Sequence, residues 1–254
     1  MNNELKYRFN EEPDERGKPQ HLHELEVNGE WKALTGCTTI LSILAKPALI
    51  PWAAKMTVEF LKDKLEGIKK LDQTNFELLL DEAKKAHTKR KEKAGEWGTK
   101  IHEEVERYIG NTIQLSGKAK DTTKYDNIDN FIEWSEKNKV NFLESEKNIW
   151  SEKLWIGGIV DFICEIDGQV WIGDIKTSGS GIYPDHFFQC AGYHLMLEDM
   201  ELYPDIKGYL ILNLKENGEF LEKRSVSNEA NKKIFLNCLE IYRQTEKLKN
   251  NIIL

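Results

Sequence analysis

The sequence predicts a mixed α/β fold, with a central mixed β-sheet flanked by helices. Three observations carry this. Hydrophobic residues are 40% and charged residues 31% of 254 residues, which is enough apolar material for a packed core. Residues 146 to 176 concentrate Ile, Val and Trp, as strands do. Helical periodicity flanks that stretch on both sides.

Taken in order, His21 to Leu34 alternates around Asn28-Gly29, a hairpin signal. The apolar run from Thr38 to Leu44 reads as helix. Pro47 and Pro51 punctuate the chain, and Trp52 opens another helix. From Phe76 to about Lys93 the pattern is helical, with Phe76, Leu79, Leu80 and Ala83 on one face. Gly95 and Gly98 interrupt it. Helix resumes from Lys100 to Ile109, with Gly110 as the stop. Asn111 to Thr123 is polar and reads as an exposed loop, and Ile128 to Asn138 reads as helix. After the strands of 146 to 176, Phe187 to Met200 is helical. Gly208 to Val226 forms two strands turning at Asn217-Gly218, and Asn228 to Lys249 is a closing helix. Helices thus flank a β-meander that receives one more hairpin.

The formal charge is -7. That argues against a passive nucleic-acid coat, but not against an enzyme whose carboxylates hold cations. No apolar run reaches the roughly 18 residues of a membrane span. The first 20 residues hold no signal-peptide core. Cys37, Cys164, Cys190 and Cys238 stand far apart with no CxxC pair, so neither a zinc ribbon nor an iron–sulfur cluster is expected. The reading is a cytoplasmic protein with buried free thiols and no membrane partner.

Chemistry concentrates in Gly157 to Thr177. Asp167-Gly168 between two β-rich runs is a two-residue turn, which sets Ile166 opposite Gln169. Five residues back along each strand, Asp161 lies opposite Asp174 on one face. Directly opposed residues are about 4.5–5.5 Å apart, so the carboxylates repel unless a cation lies between them. Oxygen ligands at that spacing suit a hard divalent ion. Lys176 points to the same face, and the carbonyl of Ile175 lies at its edge. The charged face also carries Ile159, Ile163, Ile172 and Val170, and acids embedded among apolar residues need a partner. The competing reading is an ordinary amphipathic hairpin with solvated acids. On the preceding helical stretch, His102 and Glu106 are four residues apart and share a side, as do Gln189 and Tyr193 later. Imidazole could add a nitrogen ligand. The bland alternatives are a packing histidine and a helix face against the sheet.

In order, the chain presents Gly98-x-x-x-His102-x-x-x-Glu106, Glu146, Gly158-x-x-Asp161, Asp174-x-Lys176-Thr177 and Gln189-x-x-x-Tyr193. This series resembles the PD-(D/E)xK nuclease superfamily in its RecB-like, phage-type exonuclease branch, over about residues 95 to 195. The N-terminal Thr38-Thr39-Ile40-Leu41, Lys46-Pro47 and Trp52 are similar to phage members, less specifically. The resemblance implies a nuclease core with an added N-terminal hairpin and helical region. The whole of 1–254 is then one domain, divided into a substrate-contact region over 1–94 and a catalytic core over 95–254. It also implies Mg²⁺ or Mn²⁺ held by His102, Asp161, Asp174 and the Ile175 carbonyl, and a catalytic Lys176. Gln189 and Tyr193 orient the site or the DNA, and Glu106 and Glu146 act as outer ligands. Val160 stands where the superfamily's name has proline, and the cluster-binding cysteines of some relatives are missing.

The expected activity is a metal-dependent DNA exonuclease leaving 5′-phosphates, in phage or bacterial DNA recombination, repair or processing. A recombination or replication protein would be its partner. The alternatives are an endonuclease or RNA-directed nuclease of the same fold, and a catalytically inert DNA-binding or assembly module. For gripping DNA, single-stranded or with a free end, residues 84 to 93 supply six basic side chains against Glu92 alone, a net of +5. Lys89, Arg90 and Lys91 are the candidate phosphate contacts. Trp97 either stacks on a base or belongs to the core. The bland reading of the basic run is a solvated helix face.

Overall fold

The computed structural model describes residues 6–10, 13, 21–68, 70, 72–115 and 127–249. They form eight strands in one mixed sheet, flanked by helices. The strands are β1 (Tyr7–Asn10), β2 (Leu22–Val27), β3 (Glu30–Gly36), β4 (Asn141–Ser151), β5 (Ile156–Ile166), β6 (Gln169–Lys176), β7 (Ile206–Leu214) and β8 (Phe220–Ser225). The helices are α1 (Cys37–Leu41), α2 (Leu49–Leu65), α3 (Gln73–Lys84), α4 (Ala86–Leu115), α5 (Asp129–Lys137), α6 (Pro184–Asp199) and α7 (Asn228–Lys249). Among these residues no helix is long and apolar enough to cross a membrane. All four cysteines are free and buried.

The chain divides into two compact units, one of 1–44 and 101–254, the other of 45–100. The N-terminal hairpin, which the sequence groups with the helices after it, pairs instead with the site-bearing strands. β3 runs parallel to β5 at Thr35 and Gly36.

In the first unit both hairpin turns adopt left-handed backbone where expected. Asn28 and Gly29 have φ of 56° and 84°, and Asp167 and Gly168 have 52° and 72°, the pattern of a type I′ turn. The β5–β6 register is the expected one, with Ile166 opposite Gln169 and Phe162 opposite Gly173. β4 pairs antiparallel with β5 along one edge, from Ser151↔Ile156 to Asn141↔Glu165. The other edge is shared. β6 takes Phe162 to Ile166 and β3 takes Ile156 and Gly157, so residues 158 to 161 lie where the two neighbours part. β6 continues parallel to β7, and β7 turns back into β8.

Two apolar layers cover the sheet. One face carries a cluster with Ile40, Val160, Ile163, Ile172, Tyr193, Met196 and Phe235, drawn from α1, α6, α7 and the strands. The other carries interlocked rings, Tyr108, Phe131, Trp134, Phe142 and Phe162, with edge and tilted contacts of 5.7–6.5 Å. Gly157 and Gly158 are required by close approach. A Cβ on Gly157 would lie 2.6 Å from His23 Cβ, and one on Gly158 would lie 2.8 Å from Tyr193 Cε1.

Three sequence expectations are corrected. First, α4 runs unbroken through Gly95, Gly98 and Gly110. Each glycine costs about 1 kcal/mol against alanine in a helix, which is less than the anchoring of its second half by buried Ile101, Val105 and Ile109. Residues 111–115 are therefore helical, not loop, and 116–123 lie outside the described residues. Second, the helix expected from Phe76 to Lys93 is two helices broken at Lys85. Third, strict alternation in β5 fails. Val160 and Ile163 belong to the same core cluster and Ile159 does not, so the face slips at Asp161.

In the second unit, Pro51 sits in the first turn of α2, where its missing N–H is not needed. Asp72 caps α3 by accepting the Asn75 N–H at 2.9 Å. None of the residues of α2 is fully buried.

In the first unit His23 accepts or donates a 2.6 Å hydrogen bond with the Tyr7 hydroxyl. Burial, and then the neighbouring His21, pull its pKa down to about 4. The unfolded chain therefore binds more protons between that value and about 6.5. Stability should be intact above about 6.5 and fall as pH drops towards about 4. Thermal melts of wild type against His23→Gln over this window should show a shallower acid slope in the variant. Parallel slopes would remove His23 as a cause.

Candidate metal centre

The site forms where β5 leaves β6. Asp161 and Asp174 occupy the expected opposed positions, but no ladder pair joins them. Instead Asp161 Oδ2 accepts the backbone N–H of Ile175 at 2.6 Å. The carboxylate thus completes the strand's hydrogen bonding just where the neighbours separate.

Glu146 is opposite Asp161 on β4, between the pairs Ser145↔Phe162 and Lys147↔Val160. Its φ is 45°, an uncommon left-handed conformation for a non-glycine residue inside a strand. A residue in this region turns its side chain out of the alternation of an extended strand. Here the re-aimed carboxylate joins His102, from α4, and Asp161. Ligand atoms of these three lie within 4.8 Å of one another, and His102 Nδ1 is 3.8 Å from Asp161 Oδ2. The group could hold a metal ion. Burial, then Asp161 and Glu106, raise the Glu146 pKa to about 8. Crowded, half-buried carboxylates beside an imidazole are a donor set that a divalent cation satisfies.

Asp174 is outside that group. Its side chain is 1% exposed, with Lys176 Nζ 2.8 Å from Oδ2 and 3.0 Å from Oδ1. Only the contact to Oδ1 has hydrogen-bond geometry, and Oδ2 is left as a buried oxygen without a hydrogen bond. Burial, set against Lys176 and reinforced by Asp161, raises the Asp174 pKa. Burial works against the Lys176 ammonium, but Asp174 and Asp161 outweigh it and hold its pKa above the ordinary value. Nζ also donates to Gln189 Oε1 at 3.1 Å, and Gln189 Nε2 donates to Tyr193 Oη at 2.6 Å. The four-residue spacing on α6 thus delivers one chain of contacts onto the lysine.

Of the remaining candidates, Ile175 contributes its N–H to Asp161, and the residue is 2% exposed. Glu106 is close enough to act on Glu146. Lys89, Arg90 and Lys91 are exposed on the first half of α4 and Trp97 is half-buried there. These four belong to the second unit. One residue takes a different place from its sequence reading, and one escapes it. Glu146 belongs within the ligand group rather than outside it, and only its left-handed backbone reveals this. His186, in the first turn of α6, acts on Asp174. It lies three residues before Gln189, on the same helix face, which was its available signal.

No protein-family model and no curated protein matches the chain. Among solved structures, SSO0001 is similar at 13% identity with a TM-score of 0.27, over 45% of this chain and 56% of that one. The alignment thus spans little more than half of that chain, a likeness too slight to bear on chemistry.

The part-buried Lys176 pairs with buried Asp174 and offsets the repulsion from the opposed Asp161, so removing one member should not relieve strain. Lys176→Met leaves a buried carboxylate without its ammonium, and breaking such a pair costs about 3–5 kcal/mol. Urea denaturation at neutral pH should show a loss of that order. The double variant Asp174→Asn/Lys176→Met should recover much of it. A single-variant loss under about 1 kcal/mol, the range of a surface pair, would mean that the pair carries no stability.

Proposed function

We propose that the chain is a metal-dependent DNA exonuclease of the PD-(D/E)xK type, in its RecB-like branch. The observation that carries this reading is the convergence at one split in the sheet. His102, Glu146 and Asp161 come within ligand distance of each other, and Asp174, Lys176, Gln189 and Tyr193 form a bonded series beside them. The same residues, in chain order, carry the resemblance in the sequence.

His102, Glu146 and Asp161 would hold Mg²⁺ or Mn²⁺, with the imidazole favouring Mn²⁺. When bound, such a cation supplies positive charge that acidifies water and offsets charge building on a phosphate. The chain's own residues do the rest. Asp161 spends one lone pair on the Ile175 N–H and keeps others for a ligand. Lys176 has three donors. Asp174 and Gln189 fix the ammonium through two of them, leaving the third to meet a phosphate oxygen. Preorganised charge of this kind counts most against charge that appears only in the transition state. Lys89, Arg90 and Lys91 would contact phosphates, and so carry no sequence preference.

Mn²⁺ titration followed by thermal shift tests the centre first. At about 100 times its dissociation constant a ligand adds about 2.7 kcal/mol of stability. Asp161→Asn should lose most of that gain, and His102→Ala should need more metal for the same effect. In nuclease assays with Mn²⁺, Mg²⁺ or EDTA, linear strands should be degraded and closed circles spared. Lys176→Met should bind Mn²⁺ yet lose turnover. Rapid nicking of circular single strands would instead favour an endonuclease, and wild-type turnover by Lys176→Met would sink the site assignment.

The basic segment has its own readout. Each phosphate contact on a single strand adds about -0.7 to the slope of log affinity against log salt. Replacing Lys89, Arg90 and Lys91 with Ala should flatten that slope by up to about 2. An unchanged slope would make the run a solvated helix face.

A further inference from the structure

We propose that the cleft between the second half of α4 and β4 is a nucleoside subsite. It would take the base and sugar of a nucleotide whose phosphate lies at the His102–Glu146–Asp161 group, an inference that rests on the nuclease reading. The cleft is open and measures about 570 Å³, within the roughly 300–1,000 Å³ of small-molecule sites.

Both its walls continue the walls of the metal centre. On α4, Glu106 and Gly110 line the cleft, and they follow His102 at four and eight residues. The three therefore form one stripe along the helix. On β4, Leu143, Glu144 and Ser145 line it, and Glu146 is the next residue. A molecule whose phosphate meets His102 and Glu146 thus has the cleft beside it.

The lining selects the nucleoside part rather than a second phosphate. Glu103 and Glu106 bring negative charge, whereas Glu144 is ion-paired with Lys147 at 2.6 Å and Arg107, which also borders the cleft, with Glu104 at 2.7 Å. A phosphate would be repelled here, whereas sugar hydroxyls and base amino groups are donors that carboxylates accept. Ile113 and Leu143 offer apolar contact to a base face. Gly110 supplies room. No heavy atom lies within 4 Å of where its Cβ would stand, although glycine is a poor helix former and this one is mid-helix.

The test is equilibrium binding by calorimetry in Mn²⁺, with 2′-deoxyadenosine 5′-monophosphate and inorganic phosphate as probes. Wild type should bind the nucleotide about tenfold more tightly than phosphate, a difference of about 1.4 kcal/mol. Gly110→Phe builds a ring into the cleft from an open position. It should bring the two affinities to within about twofold of each other, with Mn²⁺ and phosphate affinities unchanged. Gly110→Ala, which adds only a methyl group, should keep the preference, and circular dichroism checks that all three proteins fold alike. Equal affinities in wild type, or a preference that survives in Gly110→Phe, would overturn the subsite. If wild type still degrades linear DNA in that case, the nuclease reading stands and the cleft alone falls. If wild type neither cleaves DNA nor binds Mn²⁺, both fall together.

Discussion

The hydrogen bond from the Ile175 N–H to Asp161 Oδ2, 2.6 Å long, sits where strand pairing and site chemistry meet. A backbone N–H at the end of a ladder must find an acceptor. Here β5 has β6 on one half of its edge and β3 on the other, so the β5 side of β6 offers no strand partner at Ile175, while β7 pairs along the opposite edge. A side-chain carboxylate provides the acceptor, and in doing so is locked in place. The opening that makes this necessary also admits Glu146 from the far strand and His102 from α4. The site is thus a consequence of how one strand divides its edge between two partners.

Electrostatics then distributes the acids into two roles. Asp174 is buried and meets an ammonium, so its charge is matched within the chain. Glu146 and Asp161 lie beside a histidine and beside each other, with Glu106 nearby, and burial with these neighbours pushes the Glu146 carboxyl pKa up to about 8. A protein with a net charge of -7 gains nothing by crowding more acids together. Their concentration at a partly open split is best relieved by a cation. The close packing around them serves the same end. Gly158 lets the Tyr193 ring lie against the strand, and Tyr193 steadies Gln189, which steadies Lys176.

Much of this was legible beforehand. Asp167-Gly168 determined the β5–β6 register because a type I′ turn leaves one way to pair the flanking residues, and that register carried Asp161 and Asp174 to opposed positions. The four-residue spacings of His102 with Glu106 and of Gln189 with Tyr193 determined which side chains share a helix face. The alternation around Asn28-Gly29 determined the N-terminal hairpin, and Asn228 to Lys249 was recognisable as one helix.

Other features were decided only by the tertiary structure. Glycine weakens a helix by an amount that buried contacts elsewhere in it can offset, so the continuity of α4 through Gly95, Gly98 and Gly110 depended on Ile101, Val105 and Ile109 finding a core. The slip of faces at Asp161 and the left-handed backbone of Glu146 have no local signature, because they answer to a neighbouring strand rather than to adjacent residues. For the same reason the acids could not be sorted from spacing alone. Period two places Asp161, Asp174 and Lys176 together, but which carboxylate faces the ammonium and which faces the histidine depends on strands and helices far away in the chain.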